Sequence, residues 1–252
     1  MWNIPVLFIS LWAIFFALPK ANAEDAKQNL APAVLLSAIE NEQTHTIASA
    51  ILIEAYKRVG YRAEIDFLPA RRALEWAASG RRDGDVARIA GTEKSFPNLI
   101  PVPTPVVYFK GVAFAKTDLK RDITNWDDLK GLDIGVIRGI RYSTIGTKGM
   151  QPLFAKNMGH LFTLLNGGRI DVAIAVQDAG VVEVNRNFAD SGIHIVGKPL
   201  YSSPLFHFVH KQNSQLIPLL DSELKKMREQ GESKEIYNRV LRLLMQPKNH
   251  GK

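Results

Sequence analysis

The stretch ALEWAASGRRDGDVARIA, residues 73–90, has a second version in LFTLLNGGRIDVAIAV, residues 161–176. Each version places apolar residues at helical spacing, then glycine, a basic residue, aspartate and a short apolar run of strand composition. Glycine accepts the left-handed backbone that often ends a helix, and arginine in the last turn complements the negative end of the helix dipole. Two such units, set well apart in the chain, predict two α/β lobes.

The residues before the first unit extend it to strand–helix–strand–helix–strand. Ala33–Ile39 and Ala63–Leu68 are apolar runs of strand length, and Thr44–Arg58 between them has apolar residues at helical spacing. Arg71–Ser79 supplies the second helix and Val86–Ala90 the third strand. This order is typical of a parallel sheet with right-handed crossovers.

Two strand-like segments flank the second unit, Val106–Ala115 before it and Leu200–His210 after it. If both cross between the lobes, they form a hinge, and a ligand cleft lies at the carboxyl ends of the strands. We therefore predict a two-lobed α/β fold in which each lobe is a mostly parallel sheet flanked by helices. Residues 24–110 and 205–252 form the predicted lobe one, and residues 111–204 form lobe two.

The composition is that of a globular protein and excludes several classes. Of the 252 residues, 46% are hydrophobic and 23% are charged, with a formal net charge of +7. The lysines and arginines are scattered, so binding to nucleic acid is not expected. The sequence has no cysteine, which excludes a disulfide, a thiol nucleophile and a lipoprotein anchor.

The N-terminus is typical of a secretory signal peptide. Val6–Leu18 is an apolar core, and Ala21-Asn22-Ala23 fits a small-x-small cleavage site, so the mature chain is expected to begin at Glu24. No lysine or arginine precedes the core, and an uncleaved membrane anchor is the alternative. The apolar run is shorter than the roughly 20 residues that a spanning helix needs. We therefore expect a periplasmic protein.

Four motifs carry a resemblance to a known family, and they follow its order along the chain: LPARRAL (68–74), Gly80…Asp83-Gly84…Ala87-Arg88, WDDLKG (126–131) and Leu165…Gly168-Arg169-Ile170-Asp171. The sequence resembles extracytoplasmic solute-binding protein family 3, the polar-amino-acid type associated with ABC importers. This resemblance implies a type II periplasmic-binding-protein fold with two hinged lobes, but it does not give the ligand. Arg72, Arg88 and the helix start near Gly139 favour a small polar ligand, anionic or amino-acid-like, captured by hinge closure. The resemblance also implies a monomer without a cofactor, with an ABC permease as partner.

The sequence departs from the family pattern where family members hold an amino acid. The region that usually carries the carboxylate-binding arginine reads Thr92-Glu93-Lys94-Ser95, and Val176 occupies the usual place of the ammonium-binding aspartate. The usual Gly-Phe-type insertion between the first strand and the first helix is also missing. A standard amino acid is therefore not the ligand that this sequence favours.

Arginines are the candidate ligand residues of lobe one. Arg88 ends the third predicted strand, where a guanidinium can hold a carboxylate with two hydrogen bonds, and a surface or interlobe ion pair is the alternative. Arg72 follows Pro69 at the start of a helix. Arg71 is its rival, and we expect one of these two arginines to be solvated.

In lobe two, the candidates follow predicted strands. Gly139, Tyr142 and Ser143 lie in a turn before a helix, where free backbone N–H groups suit an anion and the tyrosine ring can stack on a ligand; an ordinary turn is the alternative. Gln177 and Asp178 follow the next strand. Asp178 either pairs with an ammonium group or caps a helix starting near Ala179, and we prefer the cap.

Tyr108, beside the first crossing, is a candidate for either the hinge core or the cleft wall. Asp83 and Asp171 are interpreted as turn or cap residues.

Two other classes of function stay open. Glu40, Glu42 and His45 lie where a cleft acid would lie in an enzyme, such as a periplasmic dehydratase, but no metal-binding, GxSxG or phosphate-loop motif is present. The other class is a ligand sensor that docks on a membrane receptor. We expect a binding protein with no metal and no catalytic residues.

Overall fold

The computed structural model of the chain describes residues 31–117 and 119–246. The predicted signal peptide, residues 1–23, lies outside the described residues. Within the described part, each α-helix is too short or too polar to cross a membrane.

The described residues form strands and helices in alternation. The strands are β1 (Ala33–Ile39), β2 (Arg62–Leu68), β3 (Gly84–Ile89), β4 (Leu99–Pro101), β5 (Val107–Ala115), β6 (Ile134–Ile137), β7 (Leu153–Ala155), β8 (Val172–Val176) and β9 (His194–His210). The α-helices are α1 (Gln43–Arg58), α2 (Ala70–Ala78), α3 (Thr92–Ser95), α4 (Arg141–Gly146), α5 (Met158–Asn166), α6 (Gln177–Asn187), α7 (Ile217–Glu229) and α8 (Glu232–Met245).

The strands form one mixed sheet in the order β2-β1-β3-β9-β5-β8-β6-β7, and β4 also pairs with β9. In lobe one, β1 is parallel to β2 and β3, and in lobe two β6 is parallel to β7 and β8. The third strand of each set pairs antiparallel with a crossing strand, β3 with β9 and β8 with β5. The chain therefore uses one supersecondary arrangement twice.

The two crossing strands, β5 and β9, join the lobes. They pair antiparallel along their length, from Val107 opposite Leu205 to Ala115 opposite His194. The sequence places the second crossing at Leu200–His210, but β9 begins earlier, at His194. Residues 201–205 pair with β5, and residues 194–196 pair with it again beyond a register shift at residues 197–200, so the whole segment is one strand.

Each lobe has its own apolar core. In lobe one, α1, α7 and α8 pack on the sheet through buried residues that include Leu36, Ile51, Val86 and Leu220. In lobe two, the alternation of β5 places Phe114 in the core on the α5 and α6 side and Ala113 in the core on the opposite face. This alternation lets one strand serve two apolar layers.

Candidate functional site

A buried ion pair lies at the end of lobe one. Asp85 is fully buried in β3, and the Arg88 Nη2 donates to its Oδ2 at 2.8 Å and to the Ala70 carbonyl at 3.1 Å. The β3–β9 register shifts between these two residues, which lets them share one side of the strand. Burial raises the pKa of the Asp85 carboxyl, and the Arg88 charge opposes that rise.

The Arg88 guanidinium has one buried N–H group without a hydrogen-bond acceptor among the described residues. Its Nη2 is held by Asp85, but its Nε is buried and has no hydrogen-bond partner among the described residues. A buried donor without a partner is costly, and such groups are rare in native structures. This ion pair is buried within lobe one, so it is neither the surface pair nor the interlobe pair considered for Arg88, and it leaves the Nε donor of the guanidinium unused.

Two buried histidines border this ion pair, and both are neutral. The His45 Nδ1 accepts from the Ile39 N–H at 3.2 Å, and burial together with the Arg88 charge lowers the His45 pKa to about 3. The His207 Nδ1 lies 2.8 Å from the Asp85 carbonyl and its Nε2 lies 2.8 Å from the Tyr56 hydroxyl. Burial lowers the His207 pKa to about 4. A pKa near 3 makes His45 a weak base, which does not favour the acid–base role considered for it.

In lobe two, Tyr142 lies on the crossing strands at the start of α4. Its ring stacks on Tyr201 at a centroid distance of 5.1 Å and meets the edge of Phe109 at 5.4 Å. A Cβ on Gly111 would lie 2.2 Å from this ring, so glycine is required there. The Tyr142 hydroxyl is buried without a partner among the described residues, and burial raises its pKa.

Arg88 and Tyr142 lie beside different residues of the crossing strand β9. Arg88 is opposite Phe206 in the β3–β9 ladder, and Phe206 packs with the residues of α2. Tyr201, which contacts Tyr142, lies five residues earlier on β9, or about 17 Å along a strand. The unpartnered Arg88 and Tyr142 groups therefore come from different lobes and lie at separate points along β9, and of the two only Tyr142 lines a cavity between the lobes.

A cavity of about 500 Å³, here the interlobe cavity, opens beside Tyr142. The loop after β1, residues 41–43, forms its lobe-one wall, and the ends of β6 and β8 with α5 and α6 form the other wall. Its charged lining residues are Glu42, Lys156, Glu183 and Arg186. Burial raises the pKa of Glu42. The volume is in the usual range for small-molecule sites, and the lining carries both signs of charge.

Asp178 has a different role from the preferred prediction. Because α6 begins at Gln177 with Val176 at the N-cap position, Asp178 is not the cap, and that prediction is wrong. Its buried carboxylate instead accepts a 3.1 Å hydrogen bond from the Thr44 hydroxyl of α1 and another from the Tyr237 hydroxyl of α8. Burial raises its pKa. Asp178 therefore links lobe two to lobe one.

Tyr108 and Gln177 lie in a second cavity of about 290 Å³, here the hinge cavity, between β5, α1, α7 and α8. The Tyr108 hydroxyl accepts from the Arg228 Nη2 at 2.9 Å, and the Gln177 Nε2 donates to the Tyr237 hydroxyl at 3.3 Å. The structure therefore divides the predicted ligand residues between two cavities, since Tyr142 lines only the interlobe cavity.

The other predicted residues differ in exposure. Arg72 is exposed on α2, and Arg71 pairs with Glu75 at 2.7 Å. Gly139 has a left-handed backbone, φ 85°, just before α4. Ser143 is fully buried, and its Oγ donates to the Ile140 carbonyl at 2.9 Å, so the hydroxyl stabilises its own helix.

Several site residues carried no recognisable sequence signal. Thr44 lies in α1 and Tyr237 in α8, and their spacing does not distinguish them from surface positions. Lys156 and Arg186 were ordinary surface charges in the sequence. In the described residues, no cluster of three or more His, Cys, Asp or Glu side chains is arranged to hold a metal ion.

Comparison with known sequences gives one distant relative. No protein-family model matches the chain. A protein of Shewanella oneidensis, described as uncharacterized, is 26% identical over 259 aligned residues, which cover 91% of this chain and 92% of that protein.

Comparison with solved structures is more informative. Substrate binding domain 2 of GlnP from Lactococcus lactis, in an open conformation, is 16% identical with a TM-score of 0.67 and covers 83% of this chain and 95% of its own. The amino acid ABC transporter substrate-binding protein AbpA from Streptococcus pneumoniae, bound to L-arginine, has a TM-score of 0.56 at 16% identity, covering 88% and 99%. The chain has a periplasmic-binding-protein fold.

A third structure shows that this fold also occurs in sensors. A histidine kinase sensor domain with similarity to periplasmic binding proteins has a TM-score of 0.58 at 14% identity, covering 84% of this chain and 97% of its own. The predicted two-lobed α/β class and the resemblance to solute-binding proteins are confirmed for the fold. Within the periplasmic-binding-protein fold, the interlobe cavity lies at the carboxyl ends of β6 and β8, as the cleft prediction required.

Proposed function

We propose that this chain is a periplasmic solute-binding protein that captures a small polar ligand by hinge closure and delivers it to an ABC importer. In this proposal the chain is a monomer, and the signal peptide is cleaved after Ala23. Residues 24–110 and 205–252 act as one lobe and residues 111–204 as the other. The AbpA likeness supports the importer, because that protein is an amino acid ABC transporter substrate-binding protein.

The observation that carries the proposal is the pair of unpartnered buried groups, Arg88 Nε in lobe one and Tyr142 OH in lobe two. Both are donors, and an anionic group accepts from donors. The Asp85 carboxylate fixes the guanidinium before a ligand arrives, which lowers the entropy cost of binding. A carboxylate of the ligand is the acceptor that best suits the Arg88 guanidinium, and the Tyr142 hydroxyl is a separate donor from the other lobe.

The mechanism is closure of one lobe on the other. β5 and β9 are the only strand pair shared by the two lobes in the described chain, so rotation is expected to bend them. A ligand that contacts both lobes favours the closed arrangement by its differential affinity for it. The Thr44–Asp178–Tyr237 hydrogen bonds are contacts between the lobes that such a rotation changes.

The lining of the interlobe cavity extends the proposal to the ligand's other end. Glu42 and Glu183 are acids on opposite walls, and Lys156 and Arg186 are bases. A ligand with both an anionic and a cationic group, as in an amino-acid-like molecule, can satisfy both signs. The charges of the cavity therefore favour a zwitterion over a neutral sugar.

Thermal shift against a panel of amino acids, small carboxylates, amines and short peptides tests this proposal. A ligand that binds only the native state raises the melting temperature. At a hundredfold excess over Kd, it adds about 2.7 kcal/mol to the free energy of unfolding. The stabilising compound should bind at least tenfold more weakly to Arg88→Lys, which keeps the charge opposite Asp85, and to Tyr142→Phe. Arg169→Lys, an exposed site, is the matched control. A shift that survives both changes contradicts the proposed site.

A sensor is the second candidate, favoured by the likeness to the histidine kinase sensor domain. In that case the closed protein is recognised by a receptor and not by a permease. Cross-linking of the ligand-loaded protein to membranes of its source organism, followed by mass spectrometry, separates the two. Recovery of a permease supports the importer, and recovery of a receptor kinase supports the sensor.

A further inference from the structure

The hinge cavity has a charge pattern that solute capture in the cleft does not use. Three of its lining residues, Lys110, Arg228 and Lys234, are cations, and none of its lining residues is an acid. Lys110 lies on a crossing strand, and the other two lie on α7 and α8. Cations from three separate elements therefore converge on one cavity.

These cations have few competing anions. Neither Lys110 nor Lys234 has an ion pair within 4.0 Å among the described residues, and Arg228 donates to the Tyr108 hydroxyl. Asp178 is close enough for the charge of Lys110 to lower the pKa of its carboxyl group. That carboxylate is buried and already accepts from Thr44 and Tyr237.

The rest of the cavity wall is largely apolar. Ile51, Pro105, Val106 and Val107 line it beside the rings of Tyr108 and Tyr237. An apolar cavity of about 150 Å³ is large enough for benzene. The hinge cavity, at about 290 Å³, has room for one aromatic ring and a carboxylate.

We propose that the hinge cavity binds a small organic anion with an apolar body, of the aromatic carboxylate class. The ring lies against the apolar wall and the tyrosines, and the carboxylate faces Lys110, Arg228 and Lys234. Because Gln177 of lobe two and Tyr237 of lobe one both line the cavity, such a ligand touches both lobes. The site shares no lining residue with the interlobe cavity and does not depend on the function of the cleft.

Isothermal titration of the purified protein with benzoate tests the site. Saturable binding is expected, at least tenfold weaker in Lys110→Gln and in Lys234→Gln and weaker at high salt. Lys226→Gln removes the same charge from an exposed position on α7 outside the cavity, so it should bind benzoate like the wild type. Benzamide, which has the same ring without the charge, should bind at least tenfold more weakly than benzoate.

Several results would overturn the proposal: no saturable binding, equal binding of benzamide, or equal affinity in the Lys110, Lys234 and Lys226 variants. Loss of benzoate binding in Arg88→Lys would also overturn it, because that result places benzoate in the cleft. A different result contradicts the proposed function, namely that no compound of the thermal-shift panel binds more weakly to Arg88→Lys than to the wild type. Benzoate binding that depends on Lys110 and Lys234 supports the hinge site in either case.

Discussion

The two versions of the repeated unit fold alike but carry different chemistry. Asp83 accepts a 2.7 Å hydrogen bond from the Leu35 N–H, and Asp171 accepts a 2.8 Å bond from the Asp133 N–H. Each aspartate thereby ties the start of its third strand to a distant segment of its lobe, a longer-range role than the turn or cap role predicted for it. This shared role explains why aspartate recurs at the same place in the two units.

Beyond the aspartate, the two versions diverge. Counted from Asp83 and Asp171, the third strand of lobe one has Asp85 and Arg88 where that of lobe two has Ala173 and Val176. In lobe one the ladder with the crossing strand is irregular, whereas residues 111–114 pair regularly with β8 in lobe two. A buried charged pair that breaks a regular apolar pattern is a mark of a functional site. The contrast fits our proposal that Arg88 of lobe one contacts the ligand.

Removing the charge of Asp85 is the strongest test of this contrast. In Asp85→Ala, the Arg88 side chain, 14% exposed, loses its only carboxylate partner among the described residues. The expected loss is about 3–5 kcal/mol in the free energy of unfolding, measured by urea denaturation. Asp127→Ala, which breaks an exposed pair with Lys130, should cost no more than about 1 kcal/mol. Similar costs for the two variants would mean that the pair contributes nothing special to lobe one.

The next position tests the packing of the two versions. A Cβ on Gly84 would lie 2.4 Å from the Phe208 carbonyl oxygen of β9, whereas the equivalent Val172 fills the core of lobe two. Gly84→Ala should therefore destabilise the protein by about 1–3 kcal/mol through overpacking. Val172→Ala should destabilise it for the opposite reason, lost apolar burial. A neutral Gly84→Ala in the same urea assay would show that β9 can move away from β3.

The smallest expected effect is a pH dependence arising in lobe one. The unfolded chain protonates His207 near pH 6.5, but the folded protein does so only near pH 4. Stability from this group is therefore complete above pH 6.5 and is lost as the pH falls towards 4. From His207 alone we expect a loss of about 1 kcal/mol between pH 7 and pH 5.5, seen as a lower urea midpoint, and His45, whose pKa is lowered to about 3, adds a loss of similar size.

The matched variants isolate this term from other titrating groups. His207→Gln should lose less stability over the same pH interval, whereas His194→Gln, at an exposed position of lobe two, should lose as much as the wild type. If the wild type and His207→Gln respond equally to pH, the neutral buried histidine is not what sets the acid sensitivity.

Most elements were predictable because their signals are local. The helical spacing of Thr44–Arg58 and the break at Gly231, with φ 81°, are fixed by residues within a turn or two of each other. The start of α6 was misplaced by two residues, since a polar residue beside a strand fits either a cap or a first turn. The continuity of β9 was also missed, because Gly197 and Pro204 interrupt its local pattern while the partner strand maintains it.

The sequence by itself determined the two α/β units, their turns and the arginine and tyrosine at the strand ends. Only the tertiary structure decided which groups meet: Arg88 with Asp85 across a shifted register, and Asp178 with Thr44, 134 residues away. It also placed Tyr108 and Tyr142 in different cavities. The physical reason is range, because helix and turn preferences act between near neighbours, whereas burial and hydrogen-bond partners depend on where distant segments pack.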